Sequence, residues 1–161
     1  MRRAAVALLL LMTAPAFAQE EEEGPDVRGD WISDIGPTKE MLVTDCPCED
    51  YTQMIEITCK PKSGTVHVEL HDFLSKEGKD GDAVEVEFAI DGKTTRHAAI
   101  LRNFSDGELQ PVFDILPDDP LFAALSSGKR LVMTYQGRKA ETALRGSGKA
   151  IAAMGAYCAK P

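Results

Sequence analysis

The sequence lacks most of the features that announce a chemistry. Its longest apolar run, within Ala4–Met12, is too short to span a bilayer comfortably. No repeat and no internal linker divides the body of the chain. No Ser/His/Asp order stands out, no Gly-x-Ser-x-Gly frame surrounds Ser147, and no cysteine lies beside an evident base. Positive charge is scarce: 18 Lys and Arg face 26 Asp and Glu, a formal net charge of −8. A field of that sign repels nucleic acid and anionic lipid surfaces, and leaves a basic protein surface as an admissible partner. The stretch nearest a phosphate loop, "RGSGKA" at 145–150, fails on two counts. Ala143 stands where the first glycine belongs, and Ala150 where the Mg²⁺-binding hydroxyl belongs. The expectation is a non-enzymatic protein without a cofactor.

What is present begins with a leader. Arg2 and Arg3 precede the apolar run, and Ala16-Phe17-Ala18 makes a small-x-small cleavage site, so residues 1–18 read as a secretory signal peptide. No cysteine follows the cut to take a lipid. Removing the leader takes away two positive charges and no negative ones. Residues 19–28 open with Gln19, four consecutive glutamates and then Gly24-Pro25, a self-repelling acidic lead with nothing to bury. Residues 29–161 then form a single β-sandwich domain. The expected location is the periplasm or the exterior, with no membrane insertion after cleavage.

Within that domain the pattern is strand-like. "IEITCK" sets Ile55, Ile57 and Cys59 against Glu56, Thr58 and Lys60, and "TVHVEL" sets Val66, Val68 and Leu70 on one side. "AVEVEFAIDGK" alternates Val84, Val86, Phe88 and Ile90 with acids before the Asp91-Gly92 hairpin turn, and the return strand runs from Thr95 to Leu101. "PVFDIL" and "KRLVMTYQGRKAETAL" add three strands. A short helix starts at Asp119-Pro120 and stops before Gly128. A C-terminal helix carries Ile151, Met154 and Cys158 on one stripe. The expected class is mainly β: an antiparallel sandwich or open barrel with a short helix and a C-terminal helix. Its core is expected to hold Trp31, Ile57, Val68, Val86, Phe88, Leu131, Ile151 and Met154. Trp31, the sole tryptophan, reads as core rather than as an exposed binding aromatic.

Four cysteines in an exported chain imply two disulfides and allow three connectivities. Pro47 keeps Cys46 and Cys48 extended, and a bond between the two would close a small strained ring. Geometry alone therefore sends one of them to Cys59 and the other to Cys158. If instead the pair stays together, it forms a redox-labile bond or a dithiol.

The succession of Trp31, "ITCKPKSGTVHVEL", "VEVEFAIDGK", "LFAALSSGKRLVMTYQG" and "ALRGSGKAIAAMGAYC" resembles small exported proteobacterial β-sandwich proteins. These are the type VI secretion-associated VasI/TagO family and, more loosely, the invasion-associated locus B proteins. The resemblance runs from Trp31 to Cys158 over spaced apolar, Gly and Cys positions. It implies a Cys59–Cys158 bond and an accessory role in the cell envelope, linked to secretion or host interaction. The chain departs from the first group by lacking an N-terminal "RLxCYD" segment and carrying Cys46-Pro47-Cys48 instead.

Two rival readings stand beside that one. "HVELH" places His67, Glu69 and His71 on one strand face, and with Cys46 and Cys48 nearby these are candidate ligands for copper or zinc. The plainer reading is the solvent face of a half-buried strand. His97, on another strand, is a further candidate to approach it. The second rival is an exported enzyme inhibitor, using residues 19–30 as an arm. The favoured reading remains a disulfide-stapled protein that works by contact with a protein partner of unknown identity.

Overall fold

The computed structural model describes residues 30–46 and 53–159, and of Cys46 the backbone alone. The leader, the acidic lead and Cys48 lie outside the described residues. Nine strands follow in chain order: β1 (Asp30–Ile35), β2 (Met41–Cys46), β3 (Ile55–Cys59), β4 (Val66–Leu70), β5 (Ala83–Ile90), β6 (Lys93–Asn103), β7 (Leu109–Ile115), β8 (Arg130–Tyr135) and β9 (Arg138–Ala143). Helix α1 (Pro120–Ser127) precedes β8, and α2 (Ser147–Cys158) follows β9. A single 3-10 turn, His71–Phe73, follows β4. Every neighbouring pair is antiparallel, in the order β1-β2-β3-β4-β7-β6-β5-β8-β9. The fold is thus mainly antiparallel β with one short and one C-terminal helix, and its single sheet is not closed into a barrel.

Local chemistry places the elements. Asp91 and Gly92 both take positive φ, 48° and 81°, which matches the twist of the β5–β6 hairpin. The Asp91 carboxylate then accepts from Lys129 N and Arg130 N, fixing that hairpin to the start of β8. Asp119 caps α1 by accepting from Leu121 N at 2.8 Å, with Pro120 at the first helical position. Gly128 follows α1 in an extended conformation, so the reason for glycine there is space. A Cβ would meet Ile90 Cγ2 at 2.4 Å. Gly146 opens α2 at φ 84°, where a Cβ would also press on Trp31 O at 3.0 Å.

Inward-facing residues build one core. Ile57, Val68, Val86, Phe88 and Leu131 are fully buried, and Trp31, Ile151 and Met154 are nearly so. Each such side chain contributes about 1.5–3 kcal/mol of transfer free energy. Helix α2 packs on α1, β1 and β2. Its stripe brings Cys158 to Cys59 at the inner end of β3, and the two form a disulfide with Cα atoms 6.0 Å apart and 99 residues apart in sequence. Lys62 N donates to Tyr157 O and Gly64 N to Cys158 O, so the β3–β4 turn holds the same end of the helix. The pairing that geometry alone suggested, with Cys46 and Cys48 each taking one of these two, is therefore not made. The alternation of β3 and the helical stripe of α2 point Cys59 and Cys158 at each other first. No helix among the described residues is long and apolar enough to cross a membrane.

The two ends of the sheet meet without pairing as strands. Trp31 N donates to Arg145 O at 2.9 Å, and Trp31 Nε1 donates to Ala143 O at 2.8 Å. Asp30 pairs with Arg145 at the surface. Below them Asp45, 1% exposed, accepts from Met54 N and Ile55 N, each at 3.1 Å, and from the Thr142 side chain. Burial raises its carboxyl to about 6 despite those donors. Ser147, also buried, bonds Leu125 O and Leu144 O and ties the start of α2 to α1. One backbone bond and several side chains, not a backbone ladder, join this seam.

Candidate functional site

On the outer face, β4, β7, β6 and β5 lie side by side, and their register decides what that face carries. One row runs Glu69, Val112, Ile100, Ala83; its neighbours pair His67 with Asp114 and Gln110 with Arg102. Short apolar side chains in the middle, Ala83, Ala98, Ile100 and Val112, are flanked by taller polar ones. The result is a hollow of about 630 Å³ with an apolar floor and a polar wall of His67, Glu69 and Asp114. A second hollow of about 410 Å³ lies across that wall, toward Thr58, Lys60 and Thr65. His67, Glu69 and Asp114 thus form a ridge between two depressions.

The ridge is a charged relay. His67 Nδ1 lies 2.7 Å from Asp114 Oδ1, and His67 Nε2 lies 3.3 Å from Glu69 Oε1. The bond to Glu69, then that to Asp114, raises the imidazole to about 9, so it is protonated at neutral pH and donates from both nitrogens. Glu69 is correspondingly held below the usual carboxylate range, chiefly by His67 and further by Gln110.

The structure also separates the other proposed ligands. Strand β4 ends at Leu70, and His71 opens the 3-10 turn with its Nε2 3.5 Å from Glu56 Oε2 and from Gln53 Nε2. The "HVELH" pattern is therefore not a single strand face ending in a convergent imidazole pair. His97 packs with Phe113 and Phe88 at ring distances of 5.3 and 5.5 Å, on the opposite side of the sheet from His67. Among the described residues no three His, Cys, Asp or Glu are grouped to hold a metal. Cys48 and the side chain of Cys46 lie outside those residues.

The residue missed in the sequence is Gln110. It lies on the outer face of β7 yet is 4% exposed, on the lining of the hollow together with Phe104, whose ring is 5.5 Å from that of His71. Its Nε2 donates to Glu69 Oε2 at 2.6 Å, while its Oε1 is buried without a hydrogen-bonding partner in the protein. Leaving a buried amide oxygen unpaired costs about 1–3 kcal/mol. The available signal was a lone amide inside the apolar run "LQPVF". Phe104, 49% exposed at the rim, lay unnoticed inside a glycosylation-like "NFS". Comparison with family models, curated proteins and solved structures returns no match, so the site is read from its own residues.

Proposed function

We propose that this protein is a non-enzymatic accessory protein of the cell envelope, exported to the periplasm, that works by binding another protein on the outer face of β4, β7, β6 and β5. The observation that carries this reading is the hollow itself. It combines an apolar floor, an exposed aromatic rim at Phe104 and a fixed polar ridge, the mixture found at the centre of contact surfaces. The ridge histidine is held in one orientation by a carboxylate on each ring nitrogen, so the polar wall is presented as a fixed surface. The Cys59–Cys158 bond supports export, since such bonds persist in oxidising compartments. The resemblance to secretion-associated and invasion-associated envelope proteins supports the same setting.

The test places a photo-crosslinking residue at Ala98, on the floor of the hollow, and separately at Lys93, on the distant β5–β6 hairpin. Both variants are expressed in cells with the leader intact. A discrete adduct from position 98 and none from position 93 is the expected result. Equal adducts from both, or none from position 98, would overturn the reading. A thiol count on the same purified protein addresses the rival. Free or readily reduced thiols at Cys46 and Cys48 with bound copper or zinc would move the function to that pair.

A further inference from the structure

Two neighbouring turns at one end of the sheet carry lysines where the backbone does not favour them. Lys39, in the β1–β2 turn, and Lys62, in the β3–β4 turn, have φ of 60° and 59°. Glycine fills such a left-handed position without steric cost, and aspartate or asparagine at little, whereas a lysine gains nothing there from its backbone. Both turns are tied to one residue of α2. Tyr157 Oη donates to Lys39 O at 2.8 Å, and Lys62 N donates to Tyr157 O at 3.2 Å. Both lysines are exposed, and among the described residues neither ammonium has an ion-pair partner. Lys60 lies 3.7 Å from Glu40, the one carboxylate on these turns. The negative end of the α2 dipole also lies here and favours cations, but its last carbonyls already accept from Lys62 N and Gly64 N. Three cations and one anion thus meet at this end of a chain whose net charge is −8.

Tether and reach select the anion that meets them. A free acidic partner is opposed by the net charge, whereas a segment of the same chain is held close by at an effective concentration of about millimolar. Glu23, the last of the four glutamates at 20–23, stands seven peptide steps before Asp30, a reach of about 23 Å. Strand β1 carries the chain about 17 Å from Asp30 to Ile35, and Lys39 N donates to Gly36 O just beyond it. The path between is open, because β1 is an edge strand with no strand on its far side. At the root of the lead, Arg145 is already engaged with Asp30.

We propose that Glu20–Glu23 dock on Lys39 and Lys62, so that the acidic lead lies along β1 and masks the basic end of the protein. The inference is independent of the contact reading of the hollow, which lies on other strands.

The experiment is carbodiimide coupling, which joins a carboxylate to an amine in direct contact, followed by mass spectrometry. The protein is purified from cells expressing the full chain, as an equal mixture of ¹⁴N and ¹⁵N forms that separates bonds within one chain from bonds between two. Bonds from Glu20–Glu23 to Lys39 or Lys62 within one chain are expected at low salt. They should exceed those to Lys129 and Lys149, the lysines near the root of the lead, by roughly fivefold, and fall about as much in molar salt. Replacing all four glutamates by glutamine should shift the Lys39, Lys62 and Tyr157 amide signals in a ¹H–¹⁵N spectrum and leave those of β4 to β7 in place. In a background of Lys39→Gly and Lys62→Gly, which suit both backbone positions, the same replacement should move no signal. Bonds spread evenly over the lysines, bonds to Lys129 or Lys149 alone, or bonds only between chains would overturn the inference. So would bonds undiminished by salt. Glutamine replacements that leave Lys39 and Lys62 unmoved would overturn it too, and would make both lysines partners of the helix end alone.

Discussion

Two of the places that bury polar groups treat them in opposite ways. At the seam where the ends of the sheet meet, Asp45 takes two backbone N–H groups and the Thr142 side chain, and the Trp31 indole reaches Ala143 O. At the outer hollow, Gln110 satisfies its nitrogen on Glu69 and leaves its oxygen with nothing. A saturated polar cluster rigidifies and specifies, while a half-saturated one is a cost unless something completes it. The seam satisfies its polar groups within the chain; the hollow leaves one acceptor unmatched.

The contrast can be broken or sharpened by substitution, beginning on the structural side. Replacing Cys59 and Cys158 together by alanine releases the constraint over 99 residues and should remove about 4–5 kcal/mol in the chain-entropy model. Urea unfolding checks it, and a loss below about 1 kcal/mol would show that α2 holds without the bond. Asp45→Ala leaves two buried backbone donors unpaired and should cost about 2–4 kcal/mol, whereas Asp45→Asn keeps an acceptor for both. The carboxyl is raised in the folded state, from 3.8 to about 6, so the folded protein holds that proton more tightly than the unfolded chain. Its contribution therefore grows as pH falls from 6 towards 4, by about 2–3 kcal/mol, and is flat above 6. Subtracting the pH profile of Asp45→Asn from that of the parent isolates this slope. A flat difference would mean that Asp45 titrates normally.

Smaller effects are expected toward the hollow. Trp31→Phe, at the seam, keeps the ring and loses the indole bond, for about 1–2 kcal/mol by thermal unfolding. His67 is raised from 6.5 to about 9, so its contribution is complete below 6.5 and disappears as pH rises through 9. The side chain is 39% exposed, and solvent screening holds this to about 1 kcal/mol. His67→Gln should erase that alkaline loss, as followed by urea midpoints at pH 7 and 10. Gln110→Met should change stability least, within about 1 kcal/mol. A loss comparable to that of Asp45→Ala would make Gln110 a staple like Asp45 and dissolve the contrast.

Much of the architecture was legible from alternation. Strands such as Ile55–Cys59 and Ala83–Ile90 bury every second residue against one core, and that period survives in the letters. Strands β1 and β2 were not singled out. In β1 only Trp31 is buried, and β2 buries Thr44 and Asp45 beside Val43, which breaks the two-residue rhythm. The site was legible by half. His67 and Glu69 stood out as neighbours on a strand, but Asp114, which holds the other ring nitrogen of His67, comes 47 residues later and arrives only through the β4–β7 pairing. Gln110 carried almost no signal, because it faces outward on β7 and is buried there all the same.

The seam also imposes an order in time. Trp31, Asp45 and Cys59 are made early, while Thr142, Ala143, Arg145 and Cys158, which complete them, are made after all but the end of the sheet. Until residues 142 and 143 have been synthesised the indole and the Asp45 carboxylate lack these partners, and until α2 has been synthesised Cys59 lacks its own. A chain interrupted before residue 142 is therefore chemically marked as unfinished.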